Sequence, residues 1–274
     1  MSICPYDATL QFIARVLWFP CMELSHIVDR VAASMKIVDG STMTQRASRT
    51  GSGDYIPCIG TIWEEDATRE VLAEWNRTFP DLVGYKPSWV EVPYPNRKST
   101  KCDFVINTSD FSASFGNPPY EWAIENKYVR FIGDNGKNND YGVTKVVSPY
   151  RKDRSSVLDA ERLAEFTLSN RKAIMMYGFE FDSDSKALAL DWLKNNQHLP
   201  DHEKNVERVR NMMKVLDNTD PINNEMSMMD LVPLFEAACA KRGIKLGPLK
   251  TSKISGLTRH PLYHKGRILA WEVL

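Results

Sequence analysis

Three residues whose types suit phosphate-ester chemistry stand close together in the middle of the chain. Asp103 lies in the apolar run CDFVI (Cys102 to Ile106), and Glu125 and Lys127 lie in the next one, WAIENKYV (Trp122 to Val129). Both runs are rich in β-branched and aromatic residues and read as strands. Side chains alternate along a strand, so Glu125 and Lys127 share one face. Two carboxylates can hold a hard cation such as magnesium and still leave positions for water and a phosphate oxygen. Asp103 and Glu125 fit that role, with the backbone carbonyl of Asn126 as a further ligand. Hydrolysis of a phosphodiester needs a polarised phosphoryl oxygen, an activated water and compensation of the charge that develops. Lys127 would orient the water and offset that charge. The chemistry expected is magnesium-assisted phosphodiester cleavage, with manganese as a substitute. A bare Glu-x-Lys in a strand is otherwise an ordinary solvent-facing alternation, and the surrounding elements give it weight.

Those elements follow from periodicity and turn chemistry. Asp66 to Phe79 carries an apolar stripe at helical spacing (Ala67, Val71, Leu72, Trp75, Phe79) behind an N-cap aspartate. Ser88 to Val92 alternates as a strand. YPNRKSTK then makes a basic connector, so Arg97, Lys98 and Lys101 are expected in a hairpin loop before CDFVI. Tyr120 to Arg130 is a third strand. GDNGKNNDYG, with its density of Gly, Asn and Asp, is a loop beside the candidate site. A capping-box-like start at Ser156 opens a helix to about Ser169, and Arg171 to Phe181 is a fourth strand.

The residues CDFVI and AIENK, on the second and third strands of a helix-strand-strand-strand-helix-strand order, resemble the PD-(D/E)XK nuclease superfamily, which includes type II restriction endonucleases. The GDNGKNND loop followed by SPYRKDRSSVLDAERL is similar to restriction-endonuclease-like proteins of that superfamily. Cys102 stands where the motif often has proline. The resemblance covers about Asp66 to Phe181. It implies an α/β restriction-endonuclease-like core, a mixed central sheet flanked by helices, with Asp103 and Glu125 as metal ligands and Lys127 as the catalytic lysine. Some members recruit an acid from the first core helix, for which Glu74 is the candidate.

Flanking segments add helices at both ends. Residues 1–65 read as an N-terminal helical layer (Asp7 to Trp18, Glu23 to Lys36) and a Gly/Ser/Thr-rich loop from Asp39 to Asp54. Residues 66–182 form the catalytic core. Residues 183–274 form a helical subdomain (Ser185 to Asn195, Asp201 to Leu216, Met228 to Arg242) with a basic irregular tail, Lys250 to His264, and a closing strand, Arg267 to Val273. The whole is expected as one compact unit.

Lysine plus arginine and aspartate plus glutamate both number 35 in 274 residues, so a DNA footprint must be a local basic patch rather than a basic chain. Candidate DNA contacts are Arg46 and Arg49 in the N-terminal loop, Lys98 and Lys101 in the hairpin, Arg151, Lys152 and Arg154 before the helix at Ser156, and Arg259 and His260 in the tail. His260 and His264 have four-residue spacing, but Pro261 breaks the helix that would align them on a metal. The five cysteines show no zinc-ligand spacing and read as reduced thiols. No run reaches the ~20 apolar residues that span a bilayer. The expectation is a cytoplasmic endonuclease acting on a specific double-stranded DNA sequence, with a two-fold homodimer for a palindromic target and a cognate DNA methyltransferase in the cell. Alternatives are a structure-specific repair or phage-defence nuclease, or a DNA-binding protein that keeps the fold without turnover.

Overall fold

The structure is a computed structural model that describes residues 22–42, 55–79, 86–95, 97–107, 119–133, 146–150, 154–199, 202–219 and 227–274. Two helices, α1 (Leu24–Ser41) and α2 (Glu64–Thr78), precede an antiparallel meander of β1 (Lys86–Tyr94), β2 (Arg97–Asn107) and β3 (Tyr120–Val129). Helix α3 (Ser156–Glu165) leads into β4 (Ser169–Phe179), which lies parallel to β3. A helix between two parallel neighbours is the connection such a pair requires. The chain then adds α4 (Ser183–Asn196), α5 (Glu203–Thr219), a short 3-10 turn at Met228–Asp230, α6 (Leu231–Lys241), β5 (Lys250–Ser255) and β6 (Lys265–Glu272).

One mixed sheet results, in the order β1-β2-β3-β4-β6-β5. Both faces are covered, and period-two alternation sorts the core. Phe104, Ile106, Ile124, Met175 and Tyr177 pack with Ile27 and Val31 of α1 and Val71 and Trp75 of α2. Val105, Ala123, Ile174, Met176 and Leu269 pack with Val157, Ala160 and Leu163 of α3 and Phe235 of α6. A central strand buried on both faces must be almost continuously apolar. In β3 every residue but Lys127 is buried, so Glu121, Glu125 and Asn126 are polar groups carried into the interior.

Several boundaries differ from the sequence expectations for physical reasons. Asp66 is not the N-cap of α2: Trp63 holds that position, and Glu64, Glu65 and Asp66 fill the first turn, where carboxylates favour the helix dipole. Ser155 caps α3, its hydroxyl accepting from the Leu158 N–H at 3.4 Å, and the helix ends at Glu165. The expected hairpin loop is largely strand, since β2 begins at Arg97. Charged residues are tolerated there because β1 and the start of β2 form a sheet edge. Lys250 to Ser255, expected to be irregular, is an edge strand whose exposed Thr251, Lys253 and Ser255 alternate with Ile254 in the core. The closing strand is not peripheral: β6 pairs with β4 along Phe179–Gly266 to Ala173–Glu272. The expected helix from Asp7 to Trp18, and residues 134–142 of the expected loop, lie outside the described residues. Among those described, no helix is long and apolar enough to cross a membrane.

Where β4 meets β6, two glycines allow a close approach of backbone. A Cβ on Gly266 would stand 2.4 Å from the Gly178 carbonyl oxygen and 3.4 Å from the Phe179 Cα. Backbone cannot rotate away as a side chain can, so Gly266→Ala is expected to cost about 3 kcal/mol, the upper end for overpacking a core. A urea midpoint unchanged from wild type would refute this packing.

Candidate active site

The β2–β3 ladder runs through Ile106–Trp122, Val105–Ala123 and Phe104–Ile124 and then stops. Beyond it the strands fork. The backbone N–H of Asn126, which would meet β2 in a continued ladder, donates instead to Asp103 Oδ2 at 2.6 Å. A strand residue presents its N–H and C=O on the same edge, so the Asn126 carbonyl faces the same fork. Its side chain turns to the α2 face, where Nδ2 donates to Thr68 Oγ1 at 3.1 Å. Glu125 and Lys127 turn to the α3 face, as alternation requires.

Glu125 is 3% exposed and held from behind. The Tyr94 hydroxyl donates to its Oε1 at 2.6 Å, and Arg162 of α3 reaches the same oxygen with Nη2 at 2.9 Å and Nε at 3.1 Å. All three donors converge on Oε1, which leaves Oε2 clear of them. Arg162 is also tightly paired with Asp159, one turn earlier on α3. Lys127 Nζ stands 3.4 Å from Asp159 Oδ2 and 3.6 Å from Glu64 Oε1. Glu64 is fixed in turn by the Tyr128 N–H, which donates to Oε2 at 2.6 Å. The three expected residues therefore lie at one fork, joined by four that the sequence reading did not include: Glu64, Tyr94, Asp159 and Arg162.

Crowding sets the electrostatics. Burial, and then the negative charge of Asp159, push the Glu125 carboxyl up to about 7, against the opposing pull of Arg162 and the Tyr94 hydrogen bond. Burial and Glu125 hold Asp103 well above the usual carboxylate range, and burial raises Asp159 as well. Burial alone would depress Lys127, but Asp159, Glu64, Asp103 and Glu125 outweigh it and keep the ammonium protonated. Four carboxylates face two cations, Lys127 and Arg162, so the fully ionised cluster is short of two positive charges. One divalent cation would supply both.

Asp103 and Glu125 fit such an ion. Adjacent carboxylates that hold protons against their ordinary acidity are what a cation displaces on binding. Among the described residues no three acidic, histidine or cysteine side chains converge as a full ligand set. Magnesium does not require one, because it keeps several waters and takes one or two carboxylates from a protein.

The other expected contacts are dispersed. Glu74 is not the acid that α2 brings to the fork. It accepts from Arg77 Nη2 at 2.7 Å and Nε at 2.9 Å, and it faces a separate shallow cleft with Val38 and Thr42. Arg154 lines a cleft of about 330 Å³ that opens on Asp103, together with Trp63, Glu64, Thr68 and Glu91. Lys101 is paired with Glu91 at 2.9 Å, and Lys98 lies on β2. Arg46, Arg49, Arg151 and Lys152 lie outside the described residues.

Arg259 and His260 are braces rather than members of a surface loop. Arg259 Nη2 donates to the Thr42 carbonyl at 3.0 Å, and its backbone N–H to Asp39 Oδ2 at 3.5 Å. His260 is 4% exposed, stacks on Tyr263 with ring centroids 4.2 Å apart, and accepts the Leu262 N–H on Nδ1 at 3.1 Å. Burial, with His264 nearby, pushes its pKa down to about 3, so the ring is neutral near pH 7. A neutral buried ring makes no phosphate contact. His264 Nε2 stands 2.6 Å from the Pro261 carbonyl.

Comparison with known proteins assigns no family: no protein-family model matches the chain, and neither a curated protein nor a solved structure matches it.

Proposed function

We propose that the chain is a magnesium-dependent DNA endonuclease built on a PD-(D/E)XK-type core, cutting a specific double-stranded sequence in the manner of a type II restriction endonuclease. One observation carries the reading: Asp103, Glu125 and Lys127 converge where β2 and β3 fork, within the order α2-β1-β2-β3-α3-β4. A bound magnesium ion would polarise a phosphoryl oxygen and lower the pKa of a water. Asp103 and Glu125 would hold it, with the Asn126 carbonyl. Tyr94 and Arg162 fix Glu125 by Oε1 and would leave its other oxygen for the ion. Lys127, placed between Asp159 and Glu64, carries a fixed positive charge toward the phosphate and offsets the charge of the transition state. A palindromic target would bring in a second copy of the chain to cut the other strand. Such an enzyme would work in the cytoplasm beside a methyltransferase that protects the cell's own sites.

The test is cleavage of supercoiled plasmid with magnesium and with manganese. Discrete fragments that disappear with chelator are the expected result. Nicks confined to flaps or junctions would move the reading to a repair or phage-defence nuclease. No cut in any DNA with either metal would overturn it.

One observation favours a second reading, a DNA-binding protein without turnover. Arg162 already neutralises Glu125, as an internal cation would in a site that has given up its metal. Calorimetric titration separates the two, because the second reading expects no saturable magnesium binding.

A further inference from the structure

The cleft above Asp103 holds two residues that hydrolysis alone leaves unused. Trp63, the residue before α2 and next in chain to Glu64, is 43% exposed although large apolar side chains are usually covered. Arg154, just before the Ser155 cap of α3, is exposed and forms no hydrogen bond or ion pair with the described residues. Its backbone has φ of 48°, and Glu91, with φ of 54°, is the other described non-glycine residue in that region. Both line this cleft. Backbone held in a disfavoured region tends to collect at working sites.

The charges around the cleft are unequal. Glu64, Glu65, Glu91 and Asp103 face it, and an anion approaching them needs a cation that is not already engaged. Arg69 is committed to Glu65 at 2.7 Å and Asp66 at 3.1 Å. Arg154 is the remaining arginine, and a guanidinium fork matches a phosphate. An indole offers a flat face to any base, and stacking on it is tolerant of sequence. About 330 Å³ lies at the small end of ligand pockets and suits one nucleotide unit rather than a base pair.

We infer that this cleft takes a nucleobase displaced from its stack, Trp63 lying against the base and Arg154 against a neighbouring phosphate, beside the phosphate held over Asp103. The inference rests on the nuclease reading and names its substrate more narrowly. In a continuous duplex both faces of a base are covered by its neighbours. The base must therefore come from a strand end or a gap, or be turned out of the helix by the protein.

The experiment measures binding, not cleavage, with calcium in place of magnesium. Single-stranded, gapped and continuous duplex oligonucleotides are titrated by fluorescence anisotropy, and versions carrying 5-bromouracil are photo-crosslinked and mapped by mass spectrometry. Trp63→Ala is expected to weaken binding about tenfold and Trp63→Phe to restore most of it, as loss and recovery of one stacked base would do. Arg154→Ala should weaken it by a similar factor and reduce the salt dependence by about one phosphate contact. The crosslink should fall on Trp63. A loss limited to single-stranded and gapped DNA means a base already exposed; an equal loss on continuous duplex means that the protein turns the base out. DNA bound as tightly by Trp63→Ala and by Arg154→Ala, with no crosslink at Trp63, would overturn the inference and leave the nuclease reading standing. Failure of the wild type to bind any of the three would instead sink the nuclease reading. If Trp63→Ala does not fold, the crosslink and Arg154→Ala decide.

Discussion

Lys127→Met is expected to lower the single-turnover rate of DNA cleavage by about 10³-fold, the loss seen when one group stabilising a developing charge is removed. Methionine keeps much of the apolar stem and removes only the ammonium. That ammonium is 3.4 Å from Asp159 and 3.6 Å from Glu64, so it stays in place without substrate and needs no reorganisation when charge develops. Its loss also leaves buried acids with one cation fewer. Breaking such a pair costs about 3 kcal/mol where no other group compensates. Here Arg162 remains, and the carboxylates with raised pKa can take up protons, so a folded variant is expected. Lys127→Arg should not restore the rate, because a planar fork does not occupy the place of a compact ammonium between two carboxylates. Cleavage by Lys127→Met at the wild-type rate, with an unchanged urea midpoint, would remove Lys127 from both roles.

The strand-borne part of this candidate site was legible from spacing together with the order of the surrounding elements. Period two places Glu125 and Lys127 on one face and Asn126 on the other, and the apolar neighbours Ile124 and Tyr128 mark the strand as central. What spacing does not carry is which helical side chains meet that face. Helix α2 offers Glu64, Glu65, Asp66, Glu70 and Glu74, and on sequence Glu74 borders the apolar stripe. Docking decides otherwise: the N-terminal turn of α2 crosses the fork, so Glu64 reaches Lys127 and the Tyr128 N–H, while Glu74 is nearly three turns away with Arg77. Asp159 and Arg162 carried a readable signal, an acid and a base three apart on the helix between two strands. In the fold they form the link from Lys127 to Glu125, with Asp159 buried and Arg162 half-buried. The basic tail failed for a related reason. Arg259 looks like a phosphate contact until the Thr42 and Pro57 carbonyls, more than two hundred positions earlier, are seen to hold its guanidinium.

Magnesium is expected to stabilise the fold strongly at about pH 8 and weakly at about pH 5, because a proton and a cation compete for the same carboxylates. Glu125 has its pKa raised from 4.5 to about 7 in the folded chain. Between those values the folded state holds a proton that the unfolded state has lost. Stability therefore falls as pH rises through the window, by about 3 kcal/mol from this group. Asp103 and Asp159 shift in the same direction. His260 works against them: its folded pKa of about 3 lies below the ordinary 6.5, so the unfolded state gains the proton and stability falls on acidification. The pH profile of the wild type alone mixes both trends, and a variant separates them. Glu125→Gln keeps an oxygen for Tyr94 and Arg162 and removes the charge. It should be more stable than wild type at about pH 8 without metal, and it should lose most of the gain that saturating magnesium gives, about 2.7 kcal/mol at a hundredfold excess over Kd. Thermal melts of the two proteins at both pH values, with and without magnesium, provide the comparison. An equal rise in melting temperature for both proteins would place the cation away from Glu125 and the β2–β3 fork.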